Sequence, residues 1–288
     1  MTTLLAVPNV SEGRDAAVIE RIGAAFDGRL LNVHADPDHH RSVFTLAGAP
    51  GELAATVVRG AATVVELVRI DRHDGIHPRV GAIDVAPIVY ADPEQRGAAC
   101  AEALVLADRL GEELGLPAFL YGVLAGGRTR AELRRGGPAE LARRMRAGEL
   151  RPDYGPASLH PTAGAVLVSA RPPLVAFNVE LKPPATLEQA RAIAAAIREG
   201  GDEGLPGLRA IGLWLSHLGL AQVSTNVEDH RATTLADVVA AVARHAEPAG
   251  AELVGLAPRA AFAGFPEDLH LRGYATIEDA LAEGARTA

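Results

Sequence analysis

Apolar residues in the first half of the chain follow two spacings. Short unbroken apolar runs between polar loops predict buried strands, and apolar positions three and four residues apart predict amphipathic helices. Asp15 precedes the first helical pattern and is a suitable cap. The pattern predicts strands over residues 4–8, 30–33, 43–46, 82–89 and 118–121, and helices over residues 16–26, 51–70, 93–114 and 128–149.

The second half repeats the same alternation without repeating the residues themselves. Thr186 is placed to cap one of its helices. The pattern predicts strands over residues 165–169, 174–181, 209–215, 222–225 and 252–256, helices over 186–198 and 235–245, and weaker helical signals over 258–288.

Helices and strands that alternate in this way predict an α/β (α+β) fold. Arg171-Pro172-Pro173 is the strongest break in the pattern. We therefore predict two similar layered α/β subdomains with mixed sheets, over residues 1–170 and 171–288. Two such subdomains would leave a ligand cleft between them, which is a usual place for a small-molecule site.

Composition narrows the class of protein. The chain has 288 residues, of which 48% are hydrophobic and 22% are charged, as in ordinary globular proteins. A net charge of −8 argues against broad binding to nucleic acid or to an acidic membrane. No apolar run is long enough to span a membrane, and the N-terminus does not resemble a secretory signal. Because Cys100 is the single cysteine, we expect a cytoplasmic protein without an internal disulfide.

Three polar segments of the first half are candidates for chemistry. Residues 8–14 follow a strand and precede a helix, so they could bind an anion or simply form a capped turn. Residues 34–41 contain three histidines and two aspartates, which suit a metal ion but equally suit a polar loop. Arg41 at its end could hold a carboxylate. His77, in the glycine-rich segment 73–84, could exchange a proton near neutrality or be an ordinary surface histidine.

Two further segments are less distinctive. Residues 154–165 are rich in Gly and Pro and carry almost no charge, so they could surround a flat ligand ring or serve as a linker. Residues 220–226 form a strand that ends in polar groups, with Asn226 either contacting a ligand or closing the strand.

Taken together and in order, seven motifs resemble those of glutamate formiminotransferase, the folate-dependent enzyme of histidine breakdown. The likeness extends over about residues 4–258. The motifs are PNVSEGR, RSVFTLAG, HPRVGAIDVAP, DYGPASLHPTAGA, AFNVEL, AQVSTN and AELVGLAP.

The resemblance implies that a formimino group moves from N-formimino-L-glutamate to N5 of tetrahydrofolate, with His77 as the general acid and base. It implies tetrahydrofolate as co-substrate, no metal and a homodimer. We predict that the substrates contact Asn9, His34, Arg41, Arg79 and Asn226. The implied folate-binding stretch consists of Gly155, Pro156, Ala157, Ser158, Leu159, His160, Pro161, Thr162, Ala163 and Gly164.

Four positions depart from the family pattern. His34 stands where the family has an aspartate that is expected to orient the catalytic histidine, and Asp36 or Asp38 could compensate for it. Ile76 and Val123 replace glutamates, and Ala163 replaces a tryptophan. These changes leave two alternatives open. One is a folate-binding homologue with altered chemistry, for example on 5-formyltetrahydrofolate. The other is a metal-dependent hydrolase that uses the segment from His34 to His40.

Overall fold

Residues 3–284 are described by a computed structural model, and they fall into two units with the division between Pro172 and Pro173. No helix in residues 3–284 is long and apolar enough to cross a membrane. The first unit contains strands β1 (Leu4–Ala6), β2 (Asn9–Val10), β3 (Arg29–Asp36), β4 (Arg41–Gly48), β5 (Ile83–Val89), β6 (Ala118–Leu120) and β7 (Val166–Arg171). Its helices are α1 (Ala16–Ala25), α2 (Leu53–Leu67), α3 (Arg96–Leu114), α4 (Arg130–Arg134) and α5 (Gly137–Arg146).

The sheet of the first unit is mixed. β1 and β2 both pair antiparallel with β4 on one side and with β5 on the other. β3 pairs antiparallel with β4, while β7 pairs parallel with both β5 and β6. The carboxyl end of β2 and the start of β4 therefore lie beside the start of β5, where the polar segments of the sequence meet.

Helices cover both faces of this sheet. Apolar residues of α1, α2 and α3 share one core with the sheet, including the fully buried Phe26 and Phe44. Leu133 of α4 and Leu141 of α5 pack with Phe119 in a second cluster. The larger cluster thus contains α1, α2 and α3, and the smaller one holds α4 on the sheet, where its Arg134 pairs with Asp84 of β5.

The start of α2 is capped from another helix. Glu102 of α3 is buried, and its carboxylate accepts hydrogen bonds from the amides of Gly51 at 2.5 Å and Ala54 at 2.6 Å. Glu52 at the N-cap makes no side-chain cap. The first turn of α2 would otherwise leave these amides without partners.

The second unit contains β8 (Val175–Leu181), α6 (Leu187–Ile197), β9 (Leu208–Leu215), β10 (Leu220–Val227), α7 (Leu235–Ala243), β11 (Pro248–Val254), β12 (Leu271–Arg272) and α8 (Ile277–Gly284). Its strands lie in the order β12, β11, β8, β10, β9. Only the β11–β12 pair is parallel. The prediction of an α/β fold with mixed sheets in two subdomains is confirmed.

One predicted helix was wrong. The single helix over residues 128–149 is two helices, because Gly136 and Gly137 have φ angles of 74° and 69° that interrupt a helix. The strand predicted over 165–169 lies within the predicted first subdomain, residues 1–170, and as β7 it pairs within the first sheet. Weak helical signals were predicted over residues 258–288, and part of this segment forms α8. Residues 285–288 of the segment lie outside the described part of the chain.

Candidate functional site

Asn9 lies on β2 between two strands that both carry site residues. Its side-chain oxygen accepts hydrogen bonds from Arg41 Nε at 3.1 Å and Nη2 at 2.8 Å. The Asn9 amide nitrogen donates to the carbonyl of Val7 at 2.9 Å, which fixes the orientation of the amide. Asn9 therefore positions the guanidinium of Arg41, in addition to its predicted contact with substrate.

A buried charge cluster lies beside Asn9. Asp84 of β5 is fully buried and bonds Arg41 of β4, with Nη1 2.8 Å from Oδ2, and it also pairs with Arg134 of α4. Its second oxygen accepts from the Val80 amide at 2.8 Å. Burial acts to raise the pKa of Asp84, but the charges of Arg134 and Arg41 outweigh it, so the pKa is lowered. The cluster holds two cations and one anion.

The loop between β3 and β4 carries a second pair. Asp36 accepts hydrogen bonds from His39 twice, from the backbone amide at 2.9 Å and from ring Nδ1. Burial acts to raise the pKa of Asp36, yet the bonds and charge of His39 outweigh it and lower the pKa. The next residue, His40, has a φ of 49°, a left-handed conformation that non-glycine residues rarely adopt.

His73 and His40 stack with ring centroids 4.2 Å apart. His73 Nε2 donates to the His40 carbonyl at 2.8 Å, and His73 Nδ1 accepts from the Gly75 amide at 3.1 Å. Both ring nitrogens of neutral His73 are thus hydrogen-bonded. Burial lowers the pKa of His73 to about 4. A Cβ at Gly75 would lie 2.5 Å from the His39 carbonyl oxygen, so only glycine permits this close approach of the two loops.

Arg79 organises the loop that contains His77. Its guanidinium donates to the carbonyls of Gly75 at 2.6 Å and His77 at 3.2 Å, and to that of His73. Burial lowers the pKa of Arg79. These three hydrogen bonds of Arg79 hold the loop in one conformation.

His77 is half-buried, and its Nδ1 is a buried atom with no hydrogen-bond partner among the described residues. Its ring meets that of His39 edge to face, with centroids 6.0 Å apart. Burial, followed by the positive charges of Arg41 and Arg134, lowers the pKa of His77 well below its ordinary value. With the pKa lowered in this way the ring is neutral at neutral pH, and one of its two nitrogens can accept a proton, as a general base needs.

The predicted folate-binding segment is joined to the His77 loop by its backbone. Ala82 N donates to the Ala163 carbonyl at 2.8 Å, and Ala165 N donates to the Val80 carbonyl at 3.1 Å. Ala163 is fully buried, and its own amide donates to His160 Nδ1 at 3.0 Å. Ala163 therefore has no exposed surface for a ligand. The exposed members of the segment are Gly155, Pro156, Ala157, Ser158 and Pro161.

The remaining predicted positions are not all in one place. His34 lies on β3, two residues from Asp36 and on the same side of the strand. Ile76 and Val123 are exposed apolar side chains where the family pattern has glutamates. Asn226 lies in the second unit, where it pairs with Ala176 of β8 and Arg209 of β9.

The metal interpretation of the His34–His40 segment receives no support. Within residues 3–284, no three His, Cys, Asp or Glu side chains are grouped so that they could hold a metal ion. His39 is committed to Asp36, and His40 stacks on His73.

Sequence reasoning missed three residues of this site. Arg134 lies in the segment predicted as one helix over residues 128–149, whereas α4 ends at Arg134 before the break at Gly136, and Arg134 pairs with Asp84. Asp84 stood inside an apolar strand run, where a carboxylate requires a buried cation. This single charge within an apolar strand is the sequence signal that could have identified Asp84 as a residue of the site. His39 was seen only as one member of a histidine cluster.

Comparisons with known proteins show which family this chain is similar to. The N-terminal subdomain of the formiminotransferase domain matches residues 3–171, and the formiminotransferase domain matches residues 176–265. Glutamate formimidoyltransferase of Thermoplasma acidophilum is 32% identical over 275 residues, which are 91% of this chain and 90% of that protein. The Streptococcus pyogenes protein of the same name is 34% identical and covers 88% of each.

Formimidoyltransferase-cyclodeaminases are similar as well. That of Sus scrofa is 36% identical over 269 residues, which are 88% of this chain and 49% of that protein. The chain thus spans about half the length of these relatives.

Proposed function

Since the chain belongs to the formiminotransferase domain family, we propose that it is a glutamate formimidoyltransferase. It moves a formimino group from N-formimino-L-glutamate to N5 of tetrahydrofolate, which is its co-substrate. The observation that carries the proposal is the neutral, half-buried ring of His77, whose Nδ1 has no hydrogen-bond partner in the described part of the chain and whose pKa is lowered by burial and by the charges of two arginines.

The proposed reaction needs one group that first takes a proton and then returns it. The N5 lone pair forms a bond to the carbon of the protonated formimino group while the C=N π pair moves to its nitrogen, and a tetrahedral centre results; this pair re-forms the C=N bond when the glutamate nitrogen leaves. His77 takes the proton from N5. It then gives that proton to the glutamate nitrogen as the bond between this nitrogen and the carbon breaks. The products are 5-formiminotetrahydrofolate and glutamate.

The low pKa of His77 suits both steps. Attack makes N5 strongly acidic, so a weak base is sufficient to remove its proton. Once protonated, a ring beside Arg41 and Arg134 is a strong acid, and it readily protonates the departing nitrogen. General acid–base catalysis of this kind contributes about 10²–10⁴-fold in rate.

Both substrates carry carboxylates, and the buried cluster has one more cation than anion. We assign carboxylate binding to Arg41 and Arg134, which Asp84 brings together. Arg79 donates to loop carbonyls through its two terminal nitrogens, but its Nε, like that of Arg134, is buried without a partner among the described residues, so Arg79 stays a predicted contact as well. Asn9 holds Arg41 in place, and His34 and Asn226 stay predicted contacts of the substrates.

Folate binding is assigned to the segment from Gly155 to Gly164, with its exposed part facing the ligand and its buried end fixed to the His77 loop. The co-substrate needs no metal for the steps given above. A homodimer in the cytoplasm remains the prediction for the assembly and its location.

The test combines an activity assay with a separate measurement of folate binding. Formiminoglutamate and tetrahydrofolate give product with the wild type, and His77→Gln lowers kcat by about 10²–10⁴-fold while folate affinity is retained. His245→Gln, which alters an exposed ion pair with Glu203 in the second unit, is the matched histidine control and keeps full activity.

Two outcomes contradict this proposal. If the wild type binds folate without turnover, the alternative of a folate-binding homologue is correct, and 5-formyltetrahydrofolate is the ligand to test next. If it binds no folate at all, both interpretations fail.

A further inference from the structure

Asp36 and His39 form a pair whose geometry fixes one ring tautomer. Asp36 Oδ2 accepts from ring Nδ1, and Oδ1 accepts from the backbone amide of the same residue at 2.9 Å. Because a carboxylate accepts hydrogen bonds, His39 Nδ1 carries a proton. Nε2 is then the ring nitrogen of His39 that does not contact Asp36. Both residues are largely withdrawn from water, with side-chain exposures of 7% for His39 and 15% for Asp36.

The pair lies next to the proposed base. The rings of His39 and His77 meet edge to face at 6.0 Å, and His77 Nδ1 is buried with no partner within residues 3–284. A buried polar atom without a partner requires an explanation. His39 is the ring neighbour of His77 and is itself held by two bonds, so it is a rigid support for the His77 ring.

Positive charge dominates around His77. Arg41 on β4, Arg134 on α4 and His39 in the loop after β3 all act to lower the pKa of His77, and Asp84 on β5 neutralises only one of the arginines. When His77 takes a proton, a further positive charge appears in this region. The Asp36 carboxylate pairs with His39 and offsets the positive charge of that ring beside His77.

The position of Asp36 explains why the chain can carry His34. Residues 34 and 36 lie on the same face of β3, about 6–7 Å apart along the strand. The imidazole ring of His39, with its hydrogen bond to Asp36, is long enough to span a distance of this size. A carboxylate at residue 36 can therefore influence His77 through the ring of His39, which lies between them.

We propose that Asp36 and His39 are positioning residues for His77, in which His39 orients the His77 ring and Asp36 holds His39 in place and offsets its positive charge. This inference rests on the proposed function. It assigns a role that is carried in this chain by two residues outside the predicted site.

The first test needs no turnover. The imidazole nitrogens are followed by 15N NMR at pH 7.5 in the wild type, with His39 and His77 assigned from their loss in His39→Gln and His77→Gln. The wild type shows His39 protonated at Nδ1. Asp36→Asn mixes the tautomers of His39 and shifts the His77 resonances. Asp38→Asn removes an equal charge from the same loop and leaves both unchanged.

The second test is kinetic. Asp36→Asn lowers kcat by about 10–100-fold, the size of effect known for removing the outer partner of a metal-bound histidine, with KM changed less than about twofold. The acid limb of kcat against pH moves to lower pH, because a lost negative charge makes protonated His77 less stable. Asp36→Glu, which keeps the carboxylate, recovers part of the activity.

The outcomes are distinguishable. The proposal is overturned if His77 resonances are the same in the wild type, Asp36→Asn and His39→Gln, or if Asp38→Asn has the same effect as Asp36→Asn. An unmoved acid limb with a lowered kcat would mean that the pair only maintains the fold. If the wild type has no transferase activity, the proposed function fails, and the NMR comparison still decides whether the pair acts on His77.

Discussion

Arg41 and Asp84 form a buried ion pair with 2.8 Å between Nη1 and Oδ2, at exposures of 9% and 0%. Asp84 is shared with Arg134, so one carboxylate supports two guanidinium groups from different elements. A pair of this kind contributes little net stability, but the removal of one partner leaves a buried charge without compensation. The site is therefore fixed by Asp84, although Asp84 itself is not proposed to touch substrate.

Asp84→Asn is expected to lower the free energy of unfolding by about 3–5 kcal/mol, because both arginines then lack their counter-charge. Urea denaturation at pH 7.5 measures this change. Glu113→Gln is the control, since it removes a carboxylate from the exposed Arg109–Glu113 pair and should change stability far less. Equal effects of the two substitutions would mean that Asp84 is not a buried structural charge.

His73 makes stability depend on pH. Its pKa in the folded protein is about 4, below the ordinary 6.5. As pH falls from about 6.5 to about 4, the unfolded chain binds a proton at this residue and the folded protein does not, so the folded state loses stability over that window. His77 contributes in the same direction.

His73→Gln should therefore reduce the slope of unfolding free energy against pH between 6.5 and 4, by up to one bound proton. Urea denaturation of both proteins across this range gives the slopes. The comparison at pH 7.5 serves as the internal control, because the ring is neutral in both states there and any difference reflects lost packing. Parallel curves for the two proteins would contradict the assigned pKa.

Periodicity was enough to predict most elements but not the contacts that build the site. His77, in the loop between α2 and β5, and Arg41, at the start of β4, could be named as candidates from the sequence, because loops on a rigid scaffold concentrate functional polar residues. The pairing of Asp84 with Arg134 could not, since it joins residues 50 positions apart through a helix break. The capping of α2 by Glu102, 48 residues from Ala54, is a contact of the same kind.

His34→Asp restores the carboxylate that the family pattern has at this position. If Asp36 and His39 already serve His77, the substitution should change kcat by less than about twofold in the wild type. In an Asp36→Asn background it should recover part of the lost activity, because a carboxylate returns to the same face of β3. Steady-state kinetics of the two single variants and the double variant form the required cycle. A large gain from His34→Asp alone would show that the pair does not compensate.

Gly164 joins the proposed folate segment to the His77 loop through a conformation that other residues do not tolerate. Its φ is 73°, and a Cβ would lie 2.3 Å from the Val80 carbonyl oxygen. Gly164→Ala should therefore destabilise the protein by more than the cost of the backbone angle alone, which is about 1 kcal/mol. It should also weaken folate binding, because the clash separates the segment from residues 80–82.

Gly126→Ala is the matched control for this substitution. Gly126 has a φ of 59°, but no atom lies within 4 Å of a Cβ built there, so the variant carries the cost of the angle without the clash. Urea denaturation and folate titration of both variants separate the two contributions. The difference between them in unfolding free energy measures the close approach of Gly164 to Val80. If both variants bind folate as well as the wild type does, the link between this backbone contact and the folate segment is wrong.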